Sequence, residues 1–238
     1  MLSKKVRRIN NQNNFFYLTL ALVFLLISAS LNKVITSGIL QYILEAFTLI
    51  TFGICLLSLR FDKNWFRFLS SLVVAWLIAV ITRTIFGIEE IEIIMLSLMF
   101  IFFYGTFRSI MRQILFTGSI NSNKIIGSMA LFLLIGLMWA IGYLILIHFL
   151  PGAFQGINKG AWQENFADAA YFSFVTLTTL GYGDILPIMP IAKVLAYLEA
   201  IVGVFYMAIV VSSLVSSSRE QYTIEHIDHI DHIEHIDD

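Results

Sequence analysis

The stretch that decides the fold runs Asn165-Phe-Ala-Asp-Ala-Ala-Tyr-Phe-Ser-Phe-Val-Thr-Leu-Thr-Thr-Leu-Gly-Tyr-Gly-Asp184. It lies between two long apolar runs, Ile125–Leu150 and Ile191–Val215, yet it is too polar and too short to be a crossing of its own. Asn165 is the expected N-cap of a helix reaching about Thr178, with Asp168 in its first turn to complement the helix dipole. The residues beyond must return through irregular backbone, which membrane depth tolerates only where it is buried in protein or lines an aqueous path. A re-entrant loop meets that condition. In Thr179-Leu180-Gly181-Tyr182-Gly183, glycines stand at every second position. That spacing supplies left-handed backbone angles at alternate residues, which turns successive carbonyls toward one side instead of alternating them.

Working outward, the composition is that of a membrane protein. Of 238 residues, 58% are hydrophobic and only 13% charged, and the mean hydropathy is +0.84. A soluble domain carries about 25% charged residues, so a large soluble enzyme domain is excluded. The net charge of −1 leaves no basic surplus for nucleic acid. A single cysteine, Cys55, rules out an intrachain disulfide and reads as a small core hydrophobe. Apolar runs long enough to cross a bilayer are Phe15–Leu31, Ile35–Leu59, Phe68–Phe86, Ile91–Phe107, Ile125–Leu150 and Ile191–Val215. The expected fold is therefore an all-α integral membrane protein with six transmembrane helices and a re-entrant helix between the fifth and sixth.

Basic residues set the orientation. Lys4, Lys5, Arg7 and Arg8 precede the first run, and Arg60, Lys63 and Arg67 separate the second from the third. Arg108, Arg112 and Lys124 separate the fourth from the fifth, and Arg219 follows the sixth. Alternate threading puts all of these on one side, which the positive-inside rule makes cytoplasmic along with both termini. Glu89, Glu90 and Glu92 then lie outside. A second reading makes the first run a signal peptide, because Arg8 precedes an apolar stretch that ends in Ser28, Ala29 and Ser30. Cleavage there would leave the other five spans threaded as before.

Four strands like Thr179–Gly183 around an axis would stack rings of oxygens in place of the water around a dehydrated cation, so a four-fold homo-oligomer is required. The motif Thr178-Thr179-Leu180-Gly181-Tyr182-Gly183-Asp184, followed by Pro187, resembles the signature of the potassium channel superfamily. The resemblance extends from about Phe166 to Val215. It implies a selectivity filter at Thr179, Leu180, Gly181, Tyr182 and Gly183, with Thr178 and Asp184 supporting it. It further implies an aromatic cuff at Tyr171 and Phe172, a hinge at Gly203, and an apolar cavity or gate at Val204, Met207 and Val211. Leu180 replaces the more usual Val or Ile, but its carbonyl faces the ion. Val175 stands where some relatives carry a Glu that pairs with the filter acid, so Asp184 is expected to lack that partner.

The remaining residues bear on gating. A voltage sensor needs Arg or Lys at every third residue of its fourth helix, and none lies between Ile93 and Phe107. Residues 1–124 are therefore expected to form a scaffold or degenerate sensor, 125–218 the pore domain, and 219–238 a cytoplasmic tail. Glu45 and Arg83 are the intramembrane charges of the scaffold and invite pairing; Glu199, in the last span, needs a donor behind the filter or a proton of its own. In the tail, His226, His229, His232 and His235 repeat in an acid-His-Ile triplet. This leaves open a solvated low-complexity segment or a proton or zinc sensor. No HExxH, GxSG-like or paired-His arrangement supports catalysis in the spans.

The reading is a homotetrameric, potassium-selective channel of the plasma membrane that works without cofactor, enzyme chemistry or nucleic acid. A weakly selective cation channel and a non-conducting regulatory subunit are the alternatives.

Overall fold

The computed structural model describes residues 14–34, 39–58, 63–88, 90–116, 122–158, 160–210 and 212. Apolar residues dominate each long run, so each closes its backbone hydrogen bonds internally as a helix: α1 (Asn14–Val34), α2 (Ile39–Ser58), α3 (Lys63–Phe86), α4 (Ile91–Phe116) and α5 (Ser122–Phe149). Strand β1 (Phe154–Gln155), helix α6 (Trp162–Leu177) and strand β2 (Leu186–Pro187) follow, and α7 (Pro190–Val210) ends the described chain. Helices α3, α4, α5 and α7 contain stretches long and apolar enough to cross a membrane, while α1 and α2 offer the shorter apolar runs Phe15–Leu31 and Tyr42–Ser58 among the described residues.

Several boundaries differ from those expected. Helix α3 begins at Lys63 rather than Phe68, and α4 continues nine residues past Phe107 to Phe116, carrying Arg108 and Arg112 with it. A helix does not stop where hydrocarbon stops, since its backbone bonds are satisfied equally well in water. The Arg108 guanidinium lies 5.4 Å from the centroid of Trp65 on α3, a cation–π contact that anchors this extension.

Helix α1 shows how the helices divide between protein and lipid. Leu18, Leu22, Leu25 and Ala29 are buried along one face, whereas Phe16, Leu20, Val23, Phe24 and Ile27 are exposed. Exposure of so many large apolar side chains is costly in water and natural in hydrocarbon. Between α2, α3 and α4, Phe52 packs on Trp76, Phe102 and Phe103 at centroid distances of 5.5, 4.3 and 5.7 Å. Cys55 is fully buried in the same core, as its apolar neighbours in the sequence imply. Thr48 and Thr106 donate back to the preceding turn, to Leu44 and Phe102, so these hydroxyls enter the apolar interior satisfied.

Helix α1 packs on α2, α5 and α6, and α4 on α3 and α5, so α1 and α4, with α2 touching α6 more lightly, lie against the elements that carry the loop, and α3 packs behind them on α4 and α2. Pro151 follows the end of α5, and Pro190 opens α7 at the position where a missing N–H costs nothing.

Candidate functional site

Helix α6 starts four residues earlier than expected. Ala161 is its N-cap, without a side-chain capping bond, and Glu164 rather than Asp168 is the acid of its first turn. Asn165 is inside the helix on its buried face; its Nδ2 donates to the carbonyls of Asn158 (2.8 Å) and Gly160 (3.5 Å), tying the helix to the incoming loop. The expectation failed because Asn165 is a capping residue by type, but here its amide nitrogen donates to carbonyls upstream instead of its oxygen accepting from the first turn.

The other end of α6 is a Schellman cap. Thr178 is the C-cap, Thr179 N–H bonds to Thr176 O (3.0 Å), and Leu180 N–H bonds to Val175 O (2.9 Å). The residue after a C-cap adopts left-handed angles in this motif and is usually glycine; here it is Thr179, at φ 61°. Gly181 and Gly183 follow at φ 60° and 80°. Left-handed backbone thus recurs at every second residue from Thr179 to Gly183. The glycines supply two of the three positions cheaply, while a β-branched residue occupies the third under strain.

The seven motif residues, Thr178 to Asp184, are all exposed in the single chain, Leu180 at 59% and Tyr182 at 68%. Tyr171 lies parallel to Tyr182, with centroids 6.5 Å apart and planes 6° from parallel. Its hydroxyl also faces the Asp184 carboxylate. Asp184 therefore has a partner despite Val175, whose side chain is buried. Phe172 points elsewhere: it packs edge-on against Tyr143 of α5 and Phe154 of β1, at 5.1 and 5.2 Å. The two adjacent aromatics thus serve opposite sides of α6, one toward the motif and one toward the core.

The return path is fastened by backbone. Strands β1 and β2 pair antiparallel, with Phe154 opposite Pro187, and Ile188 N–H donates to Ala153 O (2.8 Å). The sequence gives no sign of this pair, because two residues are too few for alternation to register.

Residues 129–219, which include the whole of this site, match the family model for ion channels. The chain is also similar to the two pore potassium channel c of Oryza sativa subsp. japonica, 40% identical over 28% of this chain and 14% of that protein. Against the inward rectifier potassium channel Kirbac3.1 of Paramagnetospirillum magnetotacticum, identity is 34% over 34% of this chain and 25% of that protein. The mouse potassium voltage-gated channel subfamily A member 5 is 40% identical over 25% of this chain and 10% of its own length. Each match thus spans a quarter or less of the relative. No solved structure matches the chain.

Within the matched stretch, α7 runs without interruption through Gly203. Glycine is required there by contact: a Cβ would lie 2.1 Å from the carbonyl oxygen of Leu177, the last residue of α6. Val204 and Met207 are exposed on α7. Val211 lies outside the described residues, as do His226, His229, His232 and His235 of the tail.

Three polar side chains of the site carry no motif in the sequence. Tyr143 of α5 and Ser173 of α6 both meet the fully buried Glu199 of α7. At the opposite end of α6, Gln163 Nε2 donates to Glu45 Oε1 (2.8 Å). Glu45 also pairs with Arg83 Nη1 (3.2 Å), and Arg83 Nη2 reaches Glu92 (2.9 Å). The Glu45–Arg83 pairing is the one the sequence invited; the link onward to α6 depends on how α2 packs and has no sequence signal. A cavity of about 530 Å³ opens beside this network, lined by Arg83, Glu92, His148, Trp162 and Asn165 among others.

Proposed function

We propose that this chain is one subunit of a homotetrameric, potassium-selective channel of the plasma membrane, which conducts passively and performs no chemical catalysis. The observation that carries the reading is the left-handed backbone at Thr179, Gly181 and Gly183, at the end of a short helix in a chain of apolar helices. Alternate left-handed residues turn successive carbonyls the same way, and four copies around an axis replace the hydration shell of a cation with stacked oxygens. Potassium would dehydrate into the cages formed by Thr179, Leu180, Gly181, Tyr182 and Gly183. The exposure of Leu180, Tyr182, Ile201 and Phe205 in the single chain is what a surface covered by further copies requires.

Four α6 C-termini would aim the negative ends of their dipoles at the cavity and favour a cation there. Val204, Met207 and Val211 would line that apolar cavity. With both termini cytoplasmic, the filter lies toward the outer surface. The similarity to proteins named as potassium channels supports the choice of ion.

The test is ion flux through the purified full chain in liposomes, comparing potassium, rubidium and sodium, with Gly181→Ala beside the wild type. Potassium and rubidium flux without sodium flux, abolished by the substitution, is the expected result. Equal sodium flux would replace this reading with a weakly selective channel, and no flux of any ion would replace it with a non-conducting subunit.

A further inference from the structure

Glu199 is completely buried in α7, where a bare carboxylate inside a membrane is costly. Two oxygen-to-oxygen contacts join it to the neighbouring helices, and a third continues from one of its partners. The Tyr143 hydroxyl of α5 meets its Oε2, and the Ser173 hydroxyl of α6 meets its Oε1. The same Ser173 oxygen lies 2.7 Å from the backbone carbonyl of Gly136 in α5. Each contact needs one hydrogen. Tyr143 brings one and Ser173 brings one, while a backbone carbonyl and an ionised carboxylate bring none. The third hydrogen belongs to Glu199. With it the network closes: Glu199 Oε1–H donates to Ser173 Oγ, Ser173 donates to Gly136 O, and Tyr143 donates to Glu199 Oε2.

We propose that Glu199 holds this proton in the conducting protein and that its removal is a switch that closes the channel at alkaline pH. Tyr143 is the titratable group facing it from α5, and α6 faces it with Ser173 alone. Among the described residues, the salt bridges join Arg83 to Glu45 and Glu92, and none involves Glu199.

When hydroxide takes the proton as water, two hydrogens remain for three contacts. The charged oxygen is the stronger acceptor, so Ser173 donates to it and abandons Gly136. Helix α6 then loses the Ser173 hydrogen bond to α5 within two turns of Thr179, while a desolvated charge appears between α5, α6 and α7. The filter is held by α6, so its geometry depends on that tie.

The switch rests on the conducting reading above, whereas the proton assignment does not. The experiment therefore has two readouts on the full chain in lipid. Rubidium uptake across a pH series should fall by about tenfold per pH unit beyond the titration midpoint, as the protonated fraction of a single site does. In Glu199→Gln the amide donates to Ser173 and its carbonyl accepts from Tyr143, so uptake should stay flat over the same range. Infrared spectra should show the carbonyl stretch of a protonated carboxyl in the wild type, titrating with the flux and missing from Glu199→Gln. A wild type without that band overturns the proposal, and so does the same pH dependence in both proteins. The band without flux of any ion would overturn the conducting reading and the switch, leaving the buried proton in place. If Glu199→Gln does not fold, agreement or disagreement between the wild-type band and flux midpoints decides the matter.

Discussion

Gly203→Ala tests the contact that joins the last turn of α6 to α7. A methyl group added there would sit 2.1 Å from Leu177 O, 2.9 Å from its carbonyl carbon and 3.1 Å from its Cα. All three are backbone atoms, so no rotamer change relieves the clash. Restoring an ordinary separation of 3.4 Å means moving α7 away from α6 by about 1.3 Å, the difference between 3.4 and 2.1. Overpacking of this kind costs about 1–3 kcal/mol. Alanine recovers about 0.5–1 kcal/mol through its better helix propensity. The net loss of about 1–2 kcal/mol should lower the thermal unfolding midpoint by about 2–8 °C for a chain of this size.

Rubidium flux should fall as well, because Leu177 is two residues from Thr179. Gly142→Ala on α5 is the control: nothing lies within 4 Å of the added methyl, so stability should rise by about 0.5–1 kcal/mol. Unfolding of Gly203→Ala at or above the wild-type midpoint, with unchanged flux, would refute the close approach and the coupling argued from it.

Two further outcomes follow from the site. Thr179→Gly places the usual residue in the left-handed position of the Schellman cap, so the protein should gain about 1–2 kcal/mol in denaturant titration. Loss of the Thr179 hydroxyl, which in the proposed tetramer would add an oxygen ring to the filter, should nevertheless lower potassium and rubidium flux. Arg83→Leu strips Glu45 and Glu92 of their shared cation, leaving the buried Glu45 with Gln163. A loss on the order of 3 kcal/mol is expected, since the remaining carboxylate is uncompensated, and adding Glu45→Gln should recover most of it in the same unfolding assay.

Much of this protein is set by the order of its residues. Runs of apolar side chains long enough for a bilayer crossing can only be helices, since lipid offers no partner for a backbone N–H, and the positions of α3, α4, α5 and α7 follow from that, while α1 and α2 carry shorter apolar runs. The alternate glycines at 181 and 183 likewise carry their backbone angles with them, because only glycine adopts these without penalty. Tertiary structure decided what depends on neighbours distant in the chain. Thr179 takes a left-handed angle because the cap of α6 demands it, not because threonine favours it. Asn165 and Asp184 find partners, in Asn158 and Tyr171, that only the folded loop brings within reach. Gly203 is fixed by a carbonyl 26 residues away, and the proton count at Glu199 exists only once α5, α6 and α7 bring Tyr143, Gly136 and Ser173 together. Periodicity records which face of a helix is buried; which oxygen meets which hydrogen across that face is settled by packing alone.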